Sequence, residues 1–191
     1  MSAPSPSMPE SPSEIDLEDR LRGIRILLLD VDGVLTDGMV MWDNNGIEQK
    51  AFHIRDGLGI KLWAKSGGLT GIVTGRSSHV VEVRAGELDI GIVRQGVTDK
   101  KAAVQAILEE HRLAWSEAAF VGDDLPDLAC VMACGIGVAV ADACPELRQA
   151  ADLVTNAGGG RGAVREVVER LLRARGVWEA SVRRYQPGPA S

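Results

Sequence analysis

Positive charge is scarce in this 191-residue chain, where 21 Lys and Arg stand against 27 Asp and Glu for a formal charge of -6. Surfaces that grip a phosphate backbone carry a basic stripe, so no nucleic-acid partner is expected. Long apolar runs are missing too, and the N-terminus has no cationic stretch followed by an apolar core. Neither a membrane span nor an export signal is therefore expected, which points to a cytoplasmic protein. Cysteine is rare: Cys130, Cys134 and Cys144 are odd in number and share one small-residue region. That pattern suits buried free thiols in a reducing compartment better than a disulfide frame or a zinc site. With 45% hydrophobic and 25% charged residues, the rest is the composition of a globular protein, long enough for one domain with a sizeable core.

Residues 1–13 form a Pro/Ser tract with almost nothing to bury and are expected to be a disordered tail. A short polar helix over Glu14–Leu21 then leads into a strand at Ile24–Asp30. From Gly38 to His53 two apolar-alternating arms flank Asn44-Asn45-Gly46, which is hairpin turn chemistry. Met39, Met41, Trp42 and Phe52 of this flap either pack on the parent domain or await a second subunit. Beyond it the pattern alternates. Helices are expected at Arg55–Ser66, from Ser77 or Ser78 to about Leu88, from Thr98 or Asp99 onward, at Leu125–Ala133, Pro145–Ala150 and Gly162–Arg175. Strands are expected at Leu69–Val73, Ile90–Val93, Ala118–Val121, Ile136–Val140 and Leu153–Val154. Gly158-Gly159-Gly160 reads as a flexible loop, and residues 177–191 as a C-terminal tail. Alternating strands and helices over residues 14–176 predict one Rossmann-like α/β domain: a three-layer α/β/α sandwich on a parallel sheet with right-handed crossovers.

The polar motifs sit where apolar strands stop. Asp30 and Asp32 end the first, Thr74 the second, Lys100 opens the helix after the third, and Asp123 and Asp124 end the fourth. In a parallel sheet those ends share one edge, where α/β folds place their chemistry. Side-chain alternation puts Asp30 and Asp32 on one side of the strand's mouth, with Val31 turned into the core. Paired carboxylates there call for a cation. Each motif alone has a bland reading, as cap, turn or solvated lysine; in this order they converge.

The constellation resembles the haloacid dehalogenase superfamily of aspartate-nucleophile phosphatases. The stretches D-V-D-G-V-L-T-D-G, A-F-H-I-R-D-G, V-T-G-R, Q-G-V-T-D-K, V-G-D-D-L-P-D, G-V-A-V-A-D-A and G-G-R-G-A-V-R-E-V together resemble the 3-deoxy-D-manno-octulosonate 8-phosphate phosphatase family. Between Asp30 and Thr74 there is room for a hairpin and a helix but not for a cap domain. The resemblance implies a phosphomonoester hydrolase in which Asp30 attacks phosphorus and Asp32 protonates the leaving oxygen, then activates water. It implies Mg²⁺ held by Asp30, the backbone carbonyl of Asp32, and Asp123. Thr74 and Lys100 would hold the phosphoryl oxygens, with Asp124 or Asp127 orienting Lys100 or a metal-bound water.

It also implies a homotetramer, the flap and C-terminal segment of a neighbour closing a capless site. His53, Ile54, Arg55, Asp56, Gly57 and Lys61 fall in the substrate-contacting stretch, and Arg161 in the C-terminal loop. Arg76 and Arg84, spaced i, i+8 across a helix, would present guanidinium forks to a sugar-acid carboxylate. His53 stands where Asn is expected and Lys61 where Arg is common; both touch the sugar end. The favoured substrate is the octulosonate 8-phosphate, the product 3-deoxy-D-manno-octulosonate of lipopolysaccharide precursor synthesis. The alternatives are a nonulosonate or N-acylneuraminate 9-phosphate phosphatase, and a non-catalytic oligomerising module.

Overall fold

The computed structural model describes residues 12–186. Helix α1 spans Pro12–Gly23 and leads into β1, Ile26–Leu29. The flap carries β2, Met41–Trp42, and β3, Glu48–Gln49, before α2, Ile54–Lys65. There follow β4 (Leu69–Val73), α3 (His79–Glu87), β5 (Ile92–Arg94), α4 (Lys100–His111) and β6 (Ala118–Gly122). A 3₁₀ turn at Leu125–Asp127 runs into α5 (Leu128–Ala133), then β7 (Ile136–Ala139), α6 (Pro145–Ala150), β8 (Leu153–Val154), α7 (Ala163–Ala174) and α8 (Trp178–Arg183).

Six parallel strands form one sheet in the order β5-β4-β1-β6-β7-β8. Strands β1, β6 and β7 are buried along their whole length, as sheets covered on both faces require, and this explains their unbroken apolar runs. The chain steps outward from β1 through β4 to β5, then crosses back to β6 and continues to β8. Right-handed crossovers put α2 and α3 on one face and α4, α5 and α6 on the other. Helices α1 and α7 complete the first face, α7 packing on both α1 and α2. The reversal of direction falls between β1 and β6, so the loops leaving their C-terminal ends part there and open a crevice. Register fixes its depth: Leu29 pairs with Val121 across β1 and β6, and the Asp30 N–H donates to Val121 O at 3.1 Å. No helix among the described residues is long and apolar enough to cross a membrane.

Three expectations need correction. Helix α1 begins at Pro12 and reaches Gly23, longer than Glu14–Leu21, because Leu21 is fully buried and Arg20 donates to Gly135 O at 2.7 Å; the expected tail lies outside the described residues up to position 11. The stretch after 177 is not all tail, since α8 docks through Trp178, which is 7% exposed and lies between the guanidinium groups of Arg165 and Arg173, each 5.2 Å from its ring. Residues 187–191 lie outside the described residues. Nor is Gly158-Gly159-Gly160 loose: Gly159 N–H donates to Asp142 Oδ1 at 2.9 Å and Gly160 N–H to Val34 O at 2.9 Å.

The flap is a short antiparallel hairpin whose turn is tied by Asp43 Oδ1, accepting the N–H groups of Asn45 and Ile47 at 2.8 Å each. Gly46 takes φ +75° there, the left-handed conformation a side chain would resist. Phe52 packs on the core beneath Arg84, but Met39, Val40, Met41, Trp42 and Ile47 are all exposed. The parent domain does not cover them.

Candidate active site

A cleft of about 420 Å³ opens at the β1/β6 crevice, lined by Asp30, Asp32, Thr74, Arg76, Lys100, Asp123, Asp124 and Asp127 among others. Lys100 stands at the first position of α4, whose N-terminus is capped by Asp99 accepting from Ala102 N–H at 3.0 Å. Its Nζ lies 2.6 Å from Asp127 Oδ1 and 3.0 Å from Asp30 Oδ1. The contact to Asp127 is a hydrogen bond, whereas Asp30 Oδ1 has the distance but not the alignment of one and is left without a hydrogen-bond partner. Asp127 Oδ2 also accepts from the N–H of Asp123 at 3.0 Å, so one carboxylate fixes both the lysine and the β6 loop.

Carboxylate oxygens of Asp30, Asp123 and Asp127 lie within 4.8 Å of one another. Burial and the neighbouring Asp127 charge push the Asp30 carboxyl up to about 6, against the partial relief from Lys100. Asp123 is pushed up to about 7 by burial and by Asp30 and Asp127. For Lys100, burial opposes the charged form, but Asp30 and Asp127 outweigh it and its pKa is raised. The site thus holds more negative charge than one ammonium balances.

Two glycines set the spacing. Gly33 sits at φ +90°, and a Cβ there would come within 2.1 Å of Asp123 Oδ2, so the β1 loop and the Asp123 carboxylate touch only because the side chain is absent. Gly159 packs behind it, where a Cβ would lie 1.8 Å from Gly33 O.

The expected phosphate-end residues Asp30, Asp32, Thr74, Lys100 and Asp123 are all brought together in the cleft. Asp127, read from sequence as an alternative to Asp124, is the residue paired with Lys100; Asp124 Oδ1 instead accepts from Leu125 N–H at 2.8 Å and caps the turn. At the sugar end only Arg76 lines the cleft. Arg76 is not on a helix shared with Arg84, because α3 begins at His79. Arg84 lies over Phe52, pairs with Glu87 at 3.0 Å and occupies the space beside Gly57. Asp56, 1% exposed, caps α7 by accepting Arg165 N–H at 2.8 Å and Gly162 N–H at 3.3 Å. His53 Nδ1 accepts Arg55 N–H at 3.2 Å as the cap of α2. Ile54, Arg55, Lys61 and Arg161 are exposed and stand off the cleft.

Sequence reasoning missed Glu48 and Lys50. Both come from the flap: Lys50 Nζ pairs with Asp32 Oδ1, and Glu48 Oε1 accepts from Arg76 Nη2 at 2.7 Å, so Glu48 meets Asp32 only through the two cations. Their spacing of two along a strand exit, which puts both on one side, was the only signal.

The haloacid dehalogenase-like hydrolase family matches residues 83–165. The Escherichia coli K12 protein 3-deoxy-D-manno-octulosonate 8-phosphate phosphatase KdsC is 46% identical over 165 residues, covering 86% of this chain and 88% of that one. The Salmonella typhi KdsC is 47% identical over 157 residues, covering 82% of this chain and 84% of its own. Among solved structures, the Moraxella catarrhalis 3-deoxy-D-manno-octulosonate 8-phosphate phosphatase, in complex with a magnesium ion, a phosphate ion and KDO, superposes with TM-score 0.89 at 39% identity, covering 92% of this chain and 100% of that chain. The chain belongs to the 3-deoxy-D-manno-octulosonate 8-phosphate phosphatase family of haloacid dehalogenase-like hydrolases.

Proposed function

We propose that this chain is a Mg²⁺-dependent phosphomonoesterase that converts 3-deoxy-D-manno-octulosonate 8-phosphate to 3-deoxy-D-manno-octulosonate and phosphate. The observation that carries it is the convergence of Asp30, Asp32, Thr74, Lys100, Asp123 and Asp127 in one cleft, supported by relatives that bear this activity in their names.

The residues suit Mg²⁺. Asp30 and Asp123 offer hard oxygen donors, Asp30 Oδ1 is buried without a hydrogen-bond partner, and the surplus negative charge asks for a divalent cation. Asp30, Asp123 and the Asp32 carbonyl are the ligands we assign, and Mg²⁺ held there supplies charge against the phosphoryl oxygens.

In the first step an Asp30 carboxylate oxygen attacks phosphorus in line with the sugar oxygen, which leaves as Asp32 gives it a proton. The second step is hydrolysis of the aspartyl-phosphate: Asp32 takes a proton from water as its oxygen attacks phosphorus, releasing phosphate and restoring Asp30. Thr74 and Lys100 hold the phosphoryl oxygens, and Asp127 keeps Lys100 in place. Arg76, the one sugar-end cation in the cleft, meets the carboxylate of the sugar acid.

In one chain the cleft has a phosphate end and almost no sugar end. The exposed apolar flap beside it, with Ile54, Arg55 and Lys61 exposed and outside the cleft lining, fits a homotetramer in which a neighbour completes the site. A monomer with full activity would contradict that assembly.

The test is phosphate release from the octulosonate 8-phosphate, a nonulosonate 9-phosphate and p-nitrophenyl phosphate, with Mg²⁺ and with EDTA, using Asp30→Asn as blank. Metal-dependent turnover biased to the octulosonate supports the proposal. Bias to the nonulosonate reassigns the substrate, and no Asp30-dependent turnover overturns the reaction.

A further inference from the structure

Asp32, Lys50, Glu48 and Arg76 close a ring of alternating charge. Lys50 Nζ pairs with Asp32 Oδ1 and lies 3.5 Å from Glu48 Oε1; Arg76 Nη2 is 2.7 Å from the same Glu48 oxygen and its Nε 3.5 Å from Asp32 Oδ2. The Lys50 side chain is 2% exposed, and lysines are seldom buried so deeply unless paired. Its ammonium is thus committed to the two carboxylates.

We propose that Lys50 is a positioning residue for Asp32, so that the flap sets the geometry of acid–base catalysis; this rests on the phosphatase reading above. The two Asp32 oxygens are held unequally. Oδ1 is engaged by the ammonium on the flap side, while Oδ2 meets only the more distant Arg76, a residue of the cleft wall. With Oδ1 held by the ammonium, Oδ2, on the side of the cleft-wall residue Arg76, is the oxygen left to exchange a proton with the leaving group. As the bond from phosphorus to the sugar oxygen breaks and the bond from phosphorus to Asp30 forms, that proton passes from Oδ2 to the sugar oxygen. Lys50 then holds the resulting carboxylate in the same rotamer, ready to accept a proton from the attacking water.

A lysine that only fastens the flap would slow every substrate alike. A lysine that aims the acid matters most where the leaving oxygen needs a proton. The Mg²⁺-loaded chain is therefore assayed on two esters of similar size, phenyl phosphate and p-nitrophenyl phosphate, the second of which has a leaving oxygen that departs readily without a proton. The quantity compared is kcat/KM, which reports events through transfer to Asp30 and excludes the later hydrolysis. Lys50→Met is expected to lose about tenfold more kcat/KM on phenyl phosphate than on p-nitrophenyl phosphate. Lys50→Arg is expected to recover part of that difference.

Glu48→Gln, which loosens the ring while leaving Lys50 in place, is expected to shift the ratio in the same sense by less, and it carries the test if Lys50→Met fails to fold. Equal losses on both esters, or a change confined to KM, overturn the role of Lys50. Absence of any Asp30-dependent hydrolysis by the unmodified protein would instead overturn the phosphatase reading itself.

Discussion

Lys100 Nζ lies 2.6 Å from Asp127 Oδ1, joining the first residue of α4 to the turn after β6 deep in the cleft. Both side chains are buried, so neither charge has water as a fallback. Asp127→Ala strips the lysine of its closest partner and also frees the N–H of Asp123. Lys100 keeps Asp30 at 3.0 Å and one carboxylate of a crowded set is gone, so the loss expected in chemical denaturation is about 1–3 kcal/mol, the cost of leaving a buried polar group unpaired. Asp127→Asn, which keeps the shape, is expected to lose less stability. Unchanged stability in Asp127→Ala would show that the pair does not brace the site.

Gly33 and Asp123 touch through a missing side chain. Gly33→Ala places a carbon against the Asp123 carboxylate, in a left-handed backbone position that resists side chains. Val31, Val34 and Leu35 of this loop are buried in the core, so some loss of stability is expected, and in the folded variant Mg²⁺ affinity in titration calorimetry is expected to fall by about tenfold or more. Equal affinity would mean that Asp123 is not a ligand.

Burial and mutual repulsion raise Asp30 from an ordinary 3.8 to about 6 and Asp123 from 3.8 to about 7. The metal-free folded protein therefore holds protons that the unfolded chain has released. Its stability falls as pH rises from about 4 through 7, since a raised carboxyl pKa stabilises only while the group is protonated. A cation bound to the ionised groups offsets that loss. The rise in Tm on adding Mg²⁺ is expected to be larger at about pH 8 than at about pH 5; at a hundredfold excess over Kd it corresponds to about 2.7 kcal/mol. A shift independent of pH would contradict the assignment of these carboxylates.

Trp178 anchors α8 between two arginines. Trp178→Ala is expected to destabilise the domain by roughly 3 kcal/mol. A variant as stable as the original would show that the helix adds nothing to the fold.

These residues also show where sequence reading works. Strand β4, helix α6 and strand β8 fall at their expected boundaries because Gly68, Pro145 and the surrounding polar residues punctuate short apolar runs. The convergence of Asp30, Thr74, Lys100 and Asp123 followed from the topology of a parallel sheet alone. The failures depend on long-range contacts. Asp56 looked like a ligand contact, yet it caps a helix 106 residues further along the chain. Trp178 sat in an apparent tail because the arginines that hold it belong to α7. Lys50 lies in a flap whose local pattern says only hairpin; its partner Asp32 is 18 residues away and meets it only once the flap folds over the cleft.

Whether Asp30 carries the phosphoryl group between the two steps is tested by rapid acid quenching of the Mg²⁺-loaded protein during turnover, followed by mass spectrometry of its peptides. A transient phosphoryl adduct is expected on the peptide containing Asp30, absent in Asp30→Asn, which should also be inactive. Turnover with no adduct, an adduct on another residue, or an active Asp30→Asn would contradict that role.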